Sequence, residues 1–358
     1  MIIQAGLFFI ILLAGLPVRA AVVLEYHHIS DKTPNSTSIS PAKFNAQMDY
    51  LANNHFNIVS VVTLAEKLRK GETLPDKTIA ISFDDSYATV YHAAYPLLKK
   101  RGWPFTFFVN TAAVSTSSLF VTWDQLREMS RNGATIANHT MHHNHLPRLK
   151  SNETRSQWRD RTQAEIELAQ KTIEKEIGSA LTIFAYPFGE YDIEVQKLLK
   201  DLDFVAFGQQ SGPLVSKSEV HGDLQAVPRF AFGGSFTELD DFIMKVNTLP
   251  MAINRIQFFA DKNHEINNLI VKQGDRPYLV LDIADKSLIN KIHCFATGQG
   301  AASSEIIDGK LWVQAKQPLP QGRTRYNCTA ASPEKGRFYW YTQQWLATDK
   351  NGTWIYQD

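Results

Sequence analysis

The chain has 358 residues, 44% of them hydrophobic, and its 37 Lys and Arg nearly balance 36 Asp and Glu. That length suggests two domains, or one large barrel with an appendage, and the hydrophobic share suffices for a sizeable core. A net charge of +1 lacks the basic excess that marks nucleic-acid binding, so no nucleic-acid partner is expected.

Residues 1–20 read as a signal peptide. Residues 6–16 are an uninterrupted apolar run, and Val18-Arg19-Ala20 offers small residues at the spacing of a cleavage site. The run is shorter than the ~20 apolar residues of a spanning helix. The expected localisation is therefore exported, periplasmic or extracellular. No Lys or Arg precedes the run, which leaves a retained membrane anchor as the alternative.

A strand follows at Ala21-Val-Val-Leu-Glu-Tyr and ends in His27-His28. Ser40-Pro41 caps a helix through about Asn53, with Phe44, Met48 and Leu51 at helical spacing. A strand is expected at 57–62 and a helix at 63–70, stopped by Gly71. The apolar strand Thr78–Phe83 then ends in Asp84-Asp85. Adjacent carboxylates there repel each other and lose water, so a metal or a shared catalytic task is needed to offset the cost. A helix over 87–100, a strand over 105–109 and a helix over 123–131 come next. Residues 134–137 lead into His139-Thr-Met-His-His143. A helix over 152–177, a strand over 181–185 running into Tyr186-Pro-Phe-Gly189, a helix over 192–201 and a strand over 203–207 complete the alternation.

Alternating strands and helices predict a parallel α/β sheet, and polar residues at successive strand ends favour a barrel with its site at that face. This barrel is assigned to residues 21–250. From 251 to 358 helical periodicity fades. Strand-like stretches at 255–260, 278–283, 292–296, 311–315 and 337–345 predict a small all-β, sandwich-like module. Cys294 and Cys328 fall in it and are the only cysteines. In an exported chain the pair reads as a disulfide, with two buried free thiols as the alternative. Phe338-Tyr-Trp-Tyr341, Trp345, Trp354 and Tyr356 offer either a glycan-contacting surface or the core of that module.

Asp plus two His makes a three-ligand set that leaves a metal position open for water, the outline of a hydrolase. Ser-Phe-Asp84-Asp85, His139-Thr-Met-His-His143 and Tyr186-Pro-Phe-Gly189 together resemble the signature motifs of the polysaccharide deacetylases, the NodB-homology enzymes of carbohydrate esterase family 4. The resemblance spans about residues 22–232 and implies a distorted (β/α) barrel. It also implies that Asp84 is the general base and that Asp85, His139 and His143 hold a divalent metal. Zn²⁺ suits this set, and Ni²⁺, Co²⁺ or Fe²⁺ would be accepted too. The four-residue spacing places His139 and His143 on one face of a helical turn, with His142 off that face. Thr140 is a candidate to orient a ligand or the loop.

Two departures stand out. Ala185 occupies the position where many members carry the arginine that holds the base; Arg229 is a candidate substitute, and an ordinary surface arginine is the alternative. Phe188 replaces the usual Tyr, but its backbone N–H can serve the oxyanion equally well; Tyr186 is grouped with it. The usual Leu-x-His is not found after residue 205, where His221 lies in a polar loop. Instead Glu25-Tyr26-His27-His28 resembles the permuted layout of the poly-β-1,6-N-acetylglucosamine N-deacetylases, which implies that His27 is the general acid. The partner implied is an acetylated polysaccharide. Peptidoglycan, chitin-type or xylan deacetylation is the rival activity, and a silent glycan-binding barrel the rival class.

Overall fold

A computed structural model describes residues 20–215 and 224–354. The apolar N-terminal run, His221 and Tyr356 lie outside the described residues. Among the described residues no helix is long and apolar enough to cross a membrane.

The parallel sheet is built from β1 (Ala20–Tyr26), β2 (Asn57–Val59), β3 (Thr78–Phe83), β4 (Phe105–Val109), β5 (Ala134–Asn138), β6 (Ile183–Ala185) and β7 (Val205–Phe207). Its order is β1-β3-β4-β5-β6-β7. β2 pairs with the first half of β3 (Asn57 opposite Thr78), and β4 pairs with the second half (Ser82 opposite Thr106). Every residue of β1 and β3 is buried, as expected for strands covered on both faces, which read as continuous apolar runs rather than alternating ones. The short antiparallel strand β8 (Leu214–Val215) borders the start of β1. Farther along, β9 (Phe230–Ala231) runs parallel to β1 at Leu24 and Glu25. Three residues earlier, Val227 bridges in parallel to Phe207 of β7. The segment 227–231 thus joins the two edges of the sheet and curls it toward a barrel, with Arg229 on the seam.

Most helices begin where their caps place them. Ser40 accepts from the Lys43 N–H at the start of α1 (Pro41–Asn53). Ser60 does the same for Thr63, so α2 (Val61–Arg69) takes over the end of the strand expected to reach 62. The helix expected at 87 is a π-helical turn, Val90–Ala94, leading into α3 (Tyr95–Arg101); Pro96 has no N–H to continue a regular ladder back into that turn. α4 (Trp123–Arg131) and the long α5 (Arg155–Ile177) both open on reciprocal capping boxes, Thr122 with Gln125 and Thr154 with Gln157. α6 (Ile193–Asp201) is capped by Asp192. α7 (Leu239–Val246) was not expected.

Beyond residue 248 the chain forms two sheets. One contains Gly322–Ala331 and Phe338–Thr348 with His293–Ala296; the other is centred on Ile253–Asp261, Tyr278–Ile283 and Lys310–Gln314. Leu281, Ile283 and Val313 from the second meet Tyr326, Cys328 and Trp345 from the first in a shared core. Cys294 and Cys328 lie opposite each other in register and form a disulfide. The ten-residue strand Gly322–Ala331 was absent from the expected set. Its period of two was the available signal: Thr324, Tyr326, Cys328 and Ala330 point inward, and Arg323, Arg325, Asn327 and Thr329 alternate with them.

The β region is seated on the barrel. Arg337 grips Asp76 through two nitrogens at 2.9 Å each, Trp340 meets the Phe230 ring edge-on at 5.3 Å, and Leu249–Pro250 pairs with Tyr339 and Trp340. Trp345 and Trp354 are buried and belong to core and interface, whereas Phe338 is exposed and Tyr339, Trp340 and Tyr341 are half-buried.

Asp192 makes the fold pH-sensitive. Burial pushes its carboxyl from 3.8 up to about 6, so the folded chain keeps a proton that the unfolded chain releases. That contribution is complete below 3.8 and is lost as pH rises through about 6. Asp192→Asn keeps a capping side chain and removes the titration. Its stability advantage over the parent chain should grow by roughly 1–3 kcal/mol between about pH 4 and pH 7 in urea denaturation. A pH-independent difference would refute this account.

Candidate active site

β3 ends in an abrupt turn that separates the two acids. Asp84 continues the strand, its N–H bonded to Tyr26 O at 3.0 Å, and is fully buried. Asp85 and Ser86 then adopt left-handed backbone, φ 73° and 60°, which few residues other than Gly, Asn and Asp enter readily. Ser86 helps fix this turn: its hydroxyl donates to Asn110 Oδ1 at 2.7 Å and accepts the Asn110 N–H at 3.0 Å. Asp84 therefore points into the barrel and Asp85 toward its mouth.

Arg229 reaches Asp84 from the seam. Its Nη1 and Nη2 donate to the two carboxylate oxygens at 2.8 and 2.7 Å, and its Nε donates to Gly208 O at 2.9 Å. Both side chains are fully buried. The surface alternative for Arg229 is thereby overturned, and the base candidate has a cationic partner although Ala185 stands at the familiar position. Burial by itself would raise the Asp84 carboxyl; the Arg229 guanidinium, followed by His139, holds it below the ordinary carboxylate range. Glu25 is the unexpected third party. It is fully buried, neither carboxyl oxygen has a hydrogen-bond partner among the described residues, and Arg229 Nε is 3.5 Å away. Burial pushes its carboxyl up despite that cation.

Asp85, His139 and His143 converge. Asp85 Oδ1 is 3.1 Å from His139 Nε2 and 3.0 Å from His143 Nε2. His139 follows β5, its N–H bonded to Val109 O, and its Nδ1 donates to Ala185 O at 2.8 Å. That contact fixes the tautomer and turns Nε2 toward Asp85. The two histidines do not share a helical turn. Residues 139–143 form an irregular loop in which Thr140 and His143 have positive φ, 68° and 59°. Thr140 holds this loop: its hydroxyl accepts the His143 N–H at 2.9 Å, and its own N–H is taken by Asn138 Oδ1 at 2.9 Å. His142 is exposed and paired with Glu165 at 2.7 Å. Burial by itself would raise the Asp85 carboxyl, but the His139 and His143 imidazoles facing it hold it well below its usual range. One carboxylate oxygen and two imidazole nitrogens, with one imidazole pinned by a carbonyl, fit a divalent metal with open positions for water and substrate.

The trio opens into a cavity of about 650 Å³ lined by His27, Asp85, His143, Phe188, Glu190 and Arg323, among others. His27 Nε2 stands 3.9 Å from Asp85 Oδ2 and 3.7 Å from Glu25 Oε1. His28 turns away, stacks on Tyr87 at 3.6 Å, and is pushed down to about 4 by burial and by His27. In the Tyr186–Gly189 turn, Phe188 and Gly189 both have positive φ, 56° and 63°. The Phe188 ring stacks on His145 at 3.8 Å and meets His143 at 4.5 Å. Tyr186 does not reach the cavity. It is fully buried, and its hydroxyl donates to Gln225 O at 2.6 Å, so it braces the turn from behind. Glu190 went unnoticed in the sequence. It is gripped by His145 at 2.8 Å and Arg148 at 2.7 Å, and its position just after the turn was the only hint.

The Asp84–Arg229 pair predicts an asymmetric response to mutation. Arg229→Met strands a buried carboxylate and should destabilise the metal-free protein by about 3–5 kcal/mol in urea denaturation. Arg229→Lys, which keeps the charge but loses the two-pronged geometry, should cost less. A loss below ~1 kcal/mol for Arg229→Met would show that Asp84 is compensated elsewhere.

Residues 71–207 match the polysaccharide deacetylase family. Among curated relatives, the Bacillus subtilis (strain 168) protein YxkH, named for that family, is 29% identical over 175 residues, covering 49% of this chain and 59% of its own. The poly-β-1,6-N-acetyl-D-glucosamine N-deacetylase of Escherichia coli (strain K12) is 22% identical over 269 residues, covering 65% of this chain and 39% of its own. The chain thus matches about three-fifths of the first relative's length and two-fifths of the second's. In three dimensions it is similar to IcaB from Ammonifex degensii (TM-score 0.53, 24% identity, 61% of this chain and 94% of that one). It is also similar to the Streptococcus pyogenes deacetylase PplD in complex with acetate (TM-score 0.54, 22% identity, 61% and 95%). The structural likeness shows a shared fold, and the family match falls on the segment that carries Asp84, Asp85, His139 and His143. The chain therefore carries a polysaccharide deacetylase domain.

Proposed function

We propose that this protein is an exported, metal-dependent N-deacetylase that removes acetyl groups from an N-acetylglucosamine polysaccharide, with zinc as the metal. The observation that carries this reading is the convergence, at the C-terminal ends of β1, β3 and β5, of His27, the Arg229-bound Asp84, and the Asp85–His139–His143 trio around one cavity. The relatives named for poly-β-1,6-N-acetyl-D-glucosamine support the choice of glycan. The disulfide suits an oxidising compartment. We assign the catalytic unit to residues 21–250 and the accompanying β module to 251–358, of which residues 251–354 are described.

Asp85, His139 and His143 would hold the metal, which when bound would acidify a water and polarise the acetyl carbonyl. Asp84 accepts the water's proton. It can do so at neutral pH because Arg229 keeps it ionised while the barrel wall keeps it dry. Its two-pronged bond to Arg229 also fixes which carboxylate edge faces the water. The Phe188 N–H, offered by a turn already bent into left-handed backbone, donates to the oxygen that gains charge as the carbonyl becomes tetrahedral. His27, on the rim by Asp85, delivers a proton to the departing amine. Acetate and a glucosamine unit leave.

Asp84→Asn should bind metal as the parent chain does, by elemental analysis, and lose acetate release from N-acetylglucosamine oligomers by a factor of about 10² to 10⁴. Retained turnover would remove Asp84 from this role. Chelation should abolish acetate release and added Zn²⁺ should restore it; activity that survives complete metal removal would sink the mechanism.

A further inference from the structure

The cavity is not completed by the barrel alone. Arg323 lines it, yet this residue belongs to the strand Gly322–Ala331 of the β module, far outside the family match at 71–207. The side chain is held in place. Its Nη2 donates to Gln209 Oε1 at 2.8 Å, and on the same face of the strand Arg325 Nη1 donates to Gln209 O at 3.2 Å. Its Nη1 lies against the Phe188–Gly189 turn so closely that a Cβ on residue 189 would come within 2.5 Å of it. Glycine suits position 189 through its φ of 63° and because Gln209 Cβ would lie 2.6 Å from a Cβ placed there.

That Nη1 is buried and has no hydrogen-bond partner among the described residues. Proteins seldom leave a buried charged donor unmet, because the loss of hydration is not recovered. Two carboxylates face this guanidinium: Glu25, which makes no hydrogen bond to it, and Glu190, which is already engaged by His145 and Arg148. A fixed guanidinium with an unmet donor, placed beside the proposed oxyanion turn, is suited to an acceptor that arrives with the ligand.

We propose that Arg323 is a substrate-positioning residue supplied by the β module, donating to a neutral oxygen of the acetylated glycan, a hydroxyl or ring oxygen, as the chain lies in the cavity. This rests on the deacetylase reading above. It makes the β module a part of the active site, and the disulfide at Cys328 anchors the strand that presents the arginine.

Two measurements on the full-length, zinc-loaded protein test it. The first is calorimetric binding of N-acetylglucosamine oligomers to Asp84→Asn protein, with and without Arg323→Gln. The second is kcat and KM of Arg323→Gln and Arg323→Lys, in the otherwise unaltered chain, for those oligomers and for a small acetyl ester. Arg323→Gln should raise the oligomer Kd and KM by about 10- to 100-fold, the range of a hydrogen bond to a charged group. kcat, ester hydrolysis and melting temperature should stay near the parent values, and Arg323→Lys should recover part of the loss. Unchanged oligomer binding overturns the proposal. So does an equal loss on oligomer and ester, which would make Arg323 only a prop beneath the Phe188 turn. Oligomer binding that weakens with Arg323→Gln, in a parent chain that releases no acetate, would sustain the contact and refute the deacetylase reading instead.

Discussion

The buried ion pair between Asp84 and Arg229 is the constraint around which the site is organised. A carboxylate at the centre of a dry barrel is expensive, and only a partner of matching geometry offsets the cost. Arg229 meets that need from the seam where segment 227–231 joins β7 to β1. Closure of the sheet and ionisation of the base candidate are thus one event. With Asp84 committed to Arg229, Asp85 is free to turn outward through its left-handed backbone and meet His139 and His143. Glu25 records the limit of this arrangement. One guanidinium faces two buried acids, and the acid without its hydrogen bonds is the one pushed up by burial.

The mouth of the cavity is shaped by elements with no regular secondary structure. The loop after β5 and the turn after β6 use positive φ at Thr140, His143, Phe188 and Gly189 to aim backbone and imidazole groups inward. Such conformations persist only where surrounding contacts over-determine them. Here the contacts are Thr140 to His143, Asn138 to α5, and Tyr186 to Gln225. The β module, seated through Arg337–Asp76 and Trp340–Phe230, adds Arg323 to the lining of this mouth.

Much of this was legible in the residues. Strand-end acids, the His pair and the Tyr-Pro-Phe-Gly turn announce themselves because buried strands have continuous apolar text and polar interruptions at their ends are conspicuous. Arg229 could be named only as a candidate, since nothing local distinguishes a buried arginine from a surface one. The helical turn expected at 139–143 failed because spacing of four is also met by a loop with two left-handed residues. The strand at 322–331 was missed although it alternates, because its inward set of Thr324, Tyr326, Cys328 and Ala330 is only weakly apolar. Tyr186 was grouped with the cavity by its motif position, but side-chain direction in a turn follows φ and ψ, which a motif does not state.

Taken alone, the sequence determined the βα alternation, the all-β C-terminal region, and the identity of the acid and imidazole groups at strand ends. These follow from local periodicity and residue chemistry. Only the tertiary structure decided which cation holds Asp84, that the Glu25 carboxyl has no hydrogen-bond partner among the described residues, and that Arg323 stands in the cavity. Each depends on contacts between residues more than a hundred positions apart in the chain. Such contacts are set by sheet closure and by the docking of the β module, which no short stretch of sequence encodes.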